Sequence, residues 1–412
     1  MAGVKAMQNN FNKRLLNIFM AVLCVFSILS GVKPVAADAA PPEMAPGSDL
    51  EAGQSTKVRM AEEVVIFDLT KLNRLENSSV PVTATFTMFN DGKEDEDMMV
   101  RFPLGCPTID DTKITDFEAR ANNKTLPVEY SQGKPVLILL PPLYRENLFC
   151  ETMDWAEFPI KFPKQMNTIL KITYKLNIID ITASGAFGYI LETGSGWNGE
   201  IGKGTFIVRL PYKATEENIS CKWDSTTPFT PEYIGNEARW KFKNLEPTSK
   251  NNLVFTAVFP EEWQKVIDAS NIIRKSPRKA DGYIQLGDAY RAVSFDFHGW
   301  MIDHFVDKSI EAYKKASSID PYLADPHSKI AYILWEQQWY RLLGENPDTH
   351  FLEPILKELS IAFALDPENG NAKMVWDEIK GMGEFVLPTV DPSVLPKFTA
   401  TPTQDSVDSS EP

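Results

Sequence analysis

A glycine-rich stretch at residues 194–205, "GSGWNGEIGKGT", holds the residue types that could cradle a phosphate. A phosphate-binding loop needs Gly, four residues, Gly-Lys-Ser/Thr, and a helix whose N-terminal amides hold the anion. Here Trp197 stands at the first glycine position, Gly204 follows Lys203, and the alternating "TFIVRL" predicts a strand. We interpret the stretch as a turn between strands, in which Trp197 is the aromatic side chain that could contact a ligand.

The four histidines do not form a recognisable metal-binding or catalytic pattern. His298 and His304 have acidic neighbours, but their spacing is not the i, i+4 of a zinc-binding helix, and no Cys-x-x-Cys pair is present. We expect an exposed helix end there. No Gly-x-Ser-x-Gly segment occurs, and residues 58–260 contain no histidine that could act as a general base.

Carboxylates are plentiful, and a pair of them could serve glycoside hydrolysis. The candidates are Asp110, Asp111, Glu192 and Glu200, which we interpret as charges of surface loops. The acidic segment "NDGKEDED" at 90–97 offers oxygen ligands for calcium but lacks the spacing of a calcium-binding loop, so a solvated turn is expected. The sequence therefore predicts no catalytic site, no metal site and no cofactor.

The N-terminus has the pattern of an export signal. Three basic residues precede an apolar run at 15–32, and the small residues Val35 and Ala37 stand where a signal peptidase would read them. We expect removal of residues 1–37, a flexible linker at 38–57, and a secreted or cell-envelope location. A retained membrane anchor is the alternative, because the apolar run is just long enough to span a bilayer.

Removal of this leader would leave an acidic chain with three cysteines. Residues 1–37 carry four basic and no acidic residues, so 38 basic residues remain against 56 acidic ones, a formal charge of −18. Because no basic cluster in the sequence offsets that charge, nucleic acid is not expected as a partner. Cys106 and Cys150 flank one Pro-rich segment, which favours a disulfide between them in an oxidising compartment. Three buried thiols, including Cys221, are the alternative.

Residues 58–260 alternate apolar and polar side chains with period two. "VTATFTMF" and "ILKITYKLNII" each place apolar residues on one face, and about ten such runs predict an antiparallel β-sandwich region, as one large sandwich or two small ones. This half resembles uncharacterised secreted bacterial proteins that share Y-I-L-x-T-G-x-x-W-x-G-x-I-G, here 189–202, and N-L-x-P-T, here 244–248. The resemblance implies export and β structure but no activity.

From about residue 261 the apolar period becomes helical, and Pro277, Pro321 and Pro367 recur at spacings of 44 and 46. The segment 261–384 resembles the tetratricopeptide repeat (TPR) family, with extra residues between the two helices of each hairpin. The positions that carry this resemblance are Tyr283, Leu286, Gly287, Tyr290, Ser309, Tyr313, Ala316, Pro321, Ile330, Ala331, Leu334, Leu359, Ala362 and Pro367. The remaining segment, 385–412, is rich in Pro, Thr and Ser and is predicted to be disordered.

The TPR resemblance implies a concave groove that binds a segment of a partner protein. From the helical phase, Gln285, Asp288, Lys329 and Tyr332 are expected to face this groove. We therefore predict an exported, non-catalytic interaction or scaffold protein with a protein or peptide partner. The alternative is a carbohydrate-binding or carbohydrate-active envelope protein that uses the β half around Trp197.

Overall fold

The computed structural model describes most of the chain between residues 56 and 390. The described residues are 56–72, 79–105, 114–133, 152–177, 183–189, 191–220, 230–248, 251, 253–294, 303–339, 349–390 and 395. The leader, nearly all of the linker and most of the C-terminal tail lie outside these ranges, as do Cys106, Cys150 and Cys221. The expectations for those segments and for the disulfide therefore stay predictions.

Strands come first and helices follow, which confirms the predicted order of a β half and an α half. The strands are β1 Val58–Asp68, β2 Ser79–Asn90, β3 Glu96–Gly105, β4 Ile114–Ala121, β5 Lys124–Thr125, β6 Glu129–Gly133, β7 Met153–Phe162, β8 Asn167–Asn177, β9 Ser184–Tyr189, β10 Ile201–Arg209, β11 Ile219–Ser220, β12 Glu232–Ile234, β13 Glu237–Leu245 and β14 Leu253–Val258. The helices are α1 Pro260–Lys275, α2 Ala280–Val293, α3 Asp303–Ile319, α4 Asp325–Gln338, α5 Leu352–Leu365 and α6 Gly370–Met382. The chain divides into two compact units, and the boundary between them lies within α1, after Gln264.

The largest sheet has eight strands in the order β12-β13-β10-β1-β2-β8-β4-β5. Its strands form because apolar residues alternate along them: in β2, Val82, Ala84 and Phe86 are buried and the threonines between them are not. The sheet is mixed, since β1 runs parallel to β10, with Val64 beside Thr205, whereas the sequence predicted antiparallel pairing. Alternation reveals which face of a strand is buried, and it carries no information about the direction of a neighbouring strand.

Two three-stranded sheets, in the orders β11-β14-β9 and β3-β7-β6, complete the β half. Ring contacts join both of them to the buried face of the eight-stranded sheet. The Phe67 and Trp240 rings lie 5.2 and 5.7 Å from the Phe255 ring of β14, and Tyr174 lies 5.4 Å from Phe102 of β3. The core of the β half is therefore aromatic and lies on one side of the large sheet.

A buried carboxylate lies in the middle of this core. Glu63 of β1 is fully buried, and the Tyr189 hydroxyl of β9 donates a hydrogen bond of 2.7 Å to it. The bond joins strands that are far apart in the sequence, and it gives a buried polar side chain one of the hydrogen-bond partners that it requires.

The helices of the second unit pack in sequence order. α2 lies against α3, α3 also contacts α4, and α4 contacts both α5 and α6. The Asn369 side chain caps α6 by accepting a hydrogen bond of 3.0 Å from the backbone amide of Ala372. Within the described part of the chain, none of the helices has the length and apolar character that crossing a membrane requires.

Close packing of α2 on α3 depends on Gly287. A Cβ atom at this position would lie 2.4 Å from Cε1 of Tyr313, closer than two carbon atoms can approach. The Ser309 hydroxyl donates a hydrogen bond of 2.8 Å to the Gly287 carbonyl, which further joins the two helices. A glycine within a helix costs stability when it is considered alone, so this one is explained by the contact that it allows.

Candidate functional site

Two helices present charged and aromatic side chains on one shared surface. We call this surface the α2–α4 polar face, and it consists of Asp288 and Arg291 of α2 with Lys329, Tyr332 and Glu336 of α4. Positions three and four apart share one side of a helix, so the spacing within each helix brings these side chains together. Three of the four groove residues predicted from helical phase belong to this face. The fourth, Gln285, is an exposed residue one turn before Asp288.

Ion pairs join the two helices across this face. The Lys329 ammonium lies 2.7 Å from a carboxylate oxygen of Asp288, and the Arg291 guanidinium makes hydrogen bonds of 2.8 and 2.7 Å to the two oxygens of Glu336. The guanidinium carbon also lies 4.3 Å from the centre of the Tyr332 ring. Two hydrogen bonds to the two oxygens of one carboxylate fix the orientation of the Arg291 guanidinium. The ammonium of a lysine at this position could not form such a two-point contact.

The pair of Arg291 with Glu336 is partly buried. The side chains of Arg291 and Glu336 are 31% and 19% exposed. Burial acts to lower the pKa of Arg291, but hydrogen bonds to Glu336 and the charge of that carboxylate outweigh burial, so the pKa is raised. Burial, followed by the charge of Glu336, also raises the pKa of Tyr332. The face therefore combines two ion pairs with one phenol, that of Tyr332, whose pKa is raised.

Tyr313 of helix α3 also contacts two residues of the face. The Tyr313 hydroxyl donates a hydrogen bond of 2.7 Å to Asp288, and the Lys329 ammonium lies 6.0 Å from the Tyr313 ring. Burial, together with the charge of Asp288, raises the pKa of Tyr313, which keeps its hydroxyl protonated as a donor. Asp288 thus accepts from both Tyr313 and Lys329, and its orientation is set by two helices.

The sequence did not single out Arg291 and Glu336, although a signal was present. Arg291 lies three residues after Asp288, and Glu336 lies four residues after Tyr332, so each shares a helix side with a predicted groove residue.

A polar contact also joins α4 to α6, because the Trp335 indole donates a hydrogen bond to Glu378.

The positions taken from the TPR resemblance differ in how far their side chains are buried. The buried ones are Gly287, Ser309, Tyr313, Ala316, Ile330, Ala331, Leu359 and Ala362. The partly exposed ones are Tyr283, Leu286, Tyr290 and Leu334, and the exposed ones are Pro321 and Pro367 in the connections between helices. Their small members lie where helices meet, and the prolines stand outside the helices that they separate.

Trp197 is not an exposed turn residue. Its side chain is 4% exposed, and its ring lies 5.8 Å from Phe162 of β7 in an edge-on contact. The expectation of a ligand-binding indole in this turn is therefore corrected: the indole packs in the core. Trp155 and Trp240 are also fully buried, and Trp223 lies outside the described residues.

Backbone conformation and close packing explain two glycines of the stretch 194–205. Gly199 has a φ of 72°, a backbone conformation that favours glycine, and a Cβ at Gly204 would lie 2.0 Å from the Phe242 ring. Gly204 lies within β10 and allows this ring to cover the strand. The stretch is a turn followed by a strand, as the sequence predicted, and no helix follows it to hold a phosphate.

The remaining candidate residues are dispersed. His304 is exposed, His327 lies 2.7 Å from Glu358, and His298, Asp110 and Asp111 lie outside the described residues. Glu200 is exposed, and its charge, after burial, contributes to the raised pKa of Glu246. Among the side chains that the structure describes, none of the His, Cys, Asp and Glu residues form a group of three or more suited to a metal ion.

The acidic hairpin after β2 is held by internal contacts. Asp95 lies 2.9 Å from the Lys161 ammonium, and Glu96 accepts a hydrogen bond of 2.7 Å from Thr56. The hydrogen bond from Lys161 is the main reason that the pKa of Asp95 is lowered. These carboxylates anchor the hairpin to neighbouring strands.

Two solved structures illustrate the similarity of this chain to known proteins, and both similarities are weak. No family model matches the chain, and no curated protein matches it. A candidate nutrient-binding protein from Legionella pneumophila aligns with 81% of this chain and 100% of its own, at 13% identity and a TM-score of 0.41. An M1 zinc metallopeptidase from Deinococcus radiodurans aligns with 50% of this chain and 43% of its own, at 9% identity and a TM-score of 0.26. At TM-scores this low, neither similarity supports an argument about this chain.

Proposed function

We propose that the chain is an exported, non-catalytic interaction protein whose α half binds an extended segment of a partner protein. In this proposal the β half is a sandwich region that carries a short TPR-like array of helical hairpins. The export signal read from residues 1–37 supports the location in the cell envelope or outside the cell. The order in which α2 to α6 pack on one another supports the array.

The α2–α4 polar face is the observation on which this function rests. It offers a guanidinium, an ammonium, two carboxylates and a phenol, each held by neighbours on another helix. A rigid set of donors and acceptors can recognise the backbone and side chains of an extended segment without losing much side-chain freedom on binding. The half-buried Tyr332 ring, with Arg291 over it, supplies the aromatic contact that is common at the centre of interfaces.

Site-specific photocrosslinking tests this function. A photoreactive amino acid is placed at Gln285, beside the polar face, and at Lys314, an exposed position of α3, in the full-length chain. We expect a partner protein to crosslink at position 285 and not at position 314. If the same proteins crosslink equally at both positions, the polar face is not the binding surface.

The partner identified in this way then provides a quantitative test. Tyr332→Ala removes the central ring of the face, and we expect it to weaken binding of the purified partner at least tenfold, as for a residue at the centre of an interface. Lys314→Ala serves as the matched control and should leave the affinity unchanged. Equal affinities of the Tyr332→Ala chain and the parent chain in isothermal titration calorimetry would contradict the proposal.

A further inference from the structure

The eight-stranded sheet assembles a basic surface in a chain whose formal charge is −14. We call it the basic outer face; it is the side of β13, β10, β1, β2, β8 and β4 that points away from the aromatic core. One row of outward residues crosses all six strands in direct register. In strand order this row is Lys241, Thr205, Val64, Thr85, Lys171 and Arg120.

The ends of this row are cationic, and its centre is uncharged. Six strands at a spacing of about 4.8 Å extend the row over about 24 Å, with Lys241 at one end and Lys171 and Arg120 at the other. The two lysines and Arg120 are exposed. No acidic residue lies in the row itself, but two of its cations have carboxylate partners beside it: Lys241 lies 2.7 Å from Glu232 of β12, and Arg120 lies 2.8 Å from Glu118 of β4.

Like charges lie directly opposite one another at two places on this face. Lys203 of β10 faces Lys243 of β13, and Lys171 of β8 faces Arg120 of β4. Cations opposed in this way destabilise a sheet. Within the described part of the chain, Lys243 and Lys171 have no carboxylate within ion-pair distance, although Lys203 and Arg120 have one each. Arg120 makes the larger contribution to lowering the pKa of Glu118, its ion-pair partner, and the charge of Lys171 also helps to lower it.

Threonines fill the centre of the basic outer face. Five of them point outward from neighbouring strands, and among the described residues none of their hydroxyls has a hydrogen-bond partner. They are Thr83, Thr85, Thr87, Thr173 and Thr205. Aliphatic Val64, Ile66 and Ile207 lie among them and are half-buried. The centre of the face is therefore rich in hydroxyl groups, and basic residues border it, three of them in ion pairs.

We propose that the basic outer face binds an acidic polysaccharide, a polymer of sugars with carboxylates spaced along it. The cations at both ends would pair with carboxylates, and the threonine hydroxyls between them would exchange hydrogen bonds with sugar hydroxyls. This surface belongs to the β half and is independent of the α2–α4 polar face.

The same observations disfavour two other anionic partners. Single strands of nucleic acid bind to exposed aromatic rings, which the centre of this face lacks. A lipid surface requires apolar side chains that enter the bilayer, whereas Val64, Ile66 and Ile207 at the centre of this face are half-buried. A polymer that carries both carboxylates and many hydroxyl groups matches the basic residues and the threonines of the face.

Titration of the full-length chain with polygalacturonate tests the proposal. We expect binding at low ionic strength that weakens as salt is added, and no comparable binding of dextran, a neutral polysaccharide. No binding of polygalacturonate, or equal binding of dextran, would overturn the proposal. Tighter binding of a single-stranded oligonucleotide or of anionic lipid vesicles would overturn it as well.

Matched variants locate the binding surface. The double variant Lys171→Gln and Lys243→Gln removes two cations that have no ion pair with the residues the structure describes, and it should raise the Kd for polygalacturonate by about two- to thirtyfold. Lys314→Gln with Lys315→Gln removes the same charge from exposed positions of α3 and should have little effect. Equal losses in both double variants would show that net charge alone drives binding.

The threonines give a second measurement. The variant Thr85→Val with Thr205→Val keeps the shape of the face and removes two hydroxyl groups. We expect weaker binding of polygalacturonate with an unchanged dependence on salt, because the cations remain in place. Unchanged affinity would contradict the role of the hydroxyls, and circular dichroism of every variant would verify that the strands and helices are intact.

Discussion

Replacement of Gly287 by alanine tests the packing of α2 on α3, which also supports the α2–α4 polar face. Two effects oppose each other in this change. Alanine is favoured over glycine within a helix by up to about 1 kcal/mol, whereas the added Cβ would lie 2.4 Å from Cε1 of Tyr313. Overpacking of this kind costs about 1–3 kcal/mol, because the ring or the helix must move.

Movement of the Tyr313 ring carries a further cost. Its hydroxyl would lose good geometry with Asp288, and the Ser309 hydroxyl would be displaced from the Gly287 carbonyl, each bond being worth about 0.5–1.5 kcal/mol. The clash therefore outweighs the helical preference. We expect Gly287→Ala to destabilise the α half by about 1–3 kcal/mol, measured as an earlier loss of helical circular dichroism during urea unfolding of the full-length chain.

Gly381 provides a matched control. It lies near the end of α6, and no atom lies within 4 Å of the position that its Cβ would occupy. Gly381→Ala should leave stability unchanged or raise it by a few tenths of a kcal/mol. In a chain with Tyr313→Leu, which removes the facing ring, Gly287→Ala should cost less than in the parent. A Gly287→Ala chain as stable as the parent would refute this account of the helix pair.

Three further changes have expected outcomes. Tyr189→Phe removes the hydroxyl that donates to buried Glu63, and it should lower the midpoint of unfolding of the β half by the equivalent of about 1–3 kcal/mol in a denaturant titration. Arg291→Lys replaces a two-point contact with Glu336 by a single one; we expect weaker partner binding in calorimetry and little change in helical content. The pKa of Asp95 is lowered in the folded state, so its contribution to stability is present near neutral pH and is lost as the pH falls through that pKa. An Asp95→Asn chain should therefore show a smaller drop in Tm than the parent between pH 5 and pH 3 in calorimetry.

Local patterns in the sequence predicted the elements well. The alternation in "VTATFTMF" and "ILKITYKLNII" corresponds to β2 and β8, and the change of period near residue 261 corresponds to the start of α1 at Pro260. Both patterns depend on neighbours within a few residues, so the sequence contains all that is needed. The phase of α2 and α4 likewise placed Asp288 and Lys329 on one side of their helices, where they form an ion pair.

Features that depend on distant parts of the chain were not predictable in this way. The parallel pairing of β1 with β10 joins segments more than 130 residues apart, and no local pattern encodes it. The same holds for the basic outer face. Lys241, Lys171 and Arg120 lie in one row only because of the order of the strands in the sheet. Trp197 was misjudged because a glycine-rich turn suggests exposure, whereas this turn directs the indole toward Phe162.

The position of β1 has a consequence for the synthesis of the chain. β1 can pair with β2 soon after both have been made, but its other edge is completed only when β10 is available. Until then, the backbone amides and carbonyls along that edge are open to pairing with other chains. A nascent or truncated chain that stops before residue 201 should therefore self-associate, and we expect chaperones or rapid secretion to be needed while the β half is incomplete.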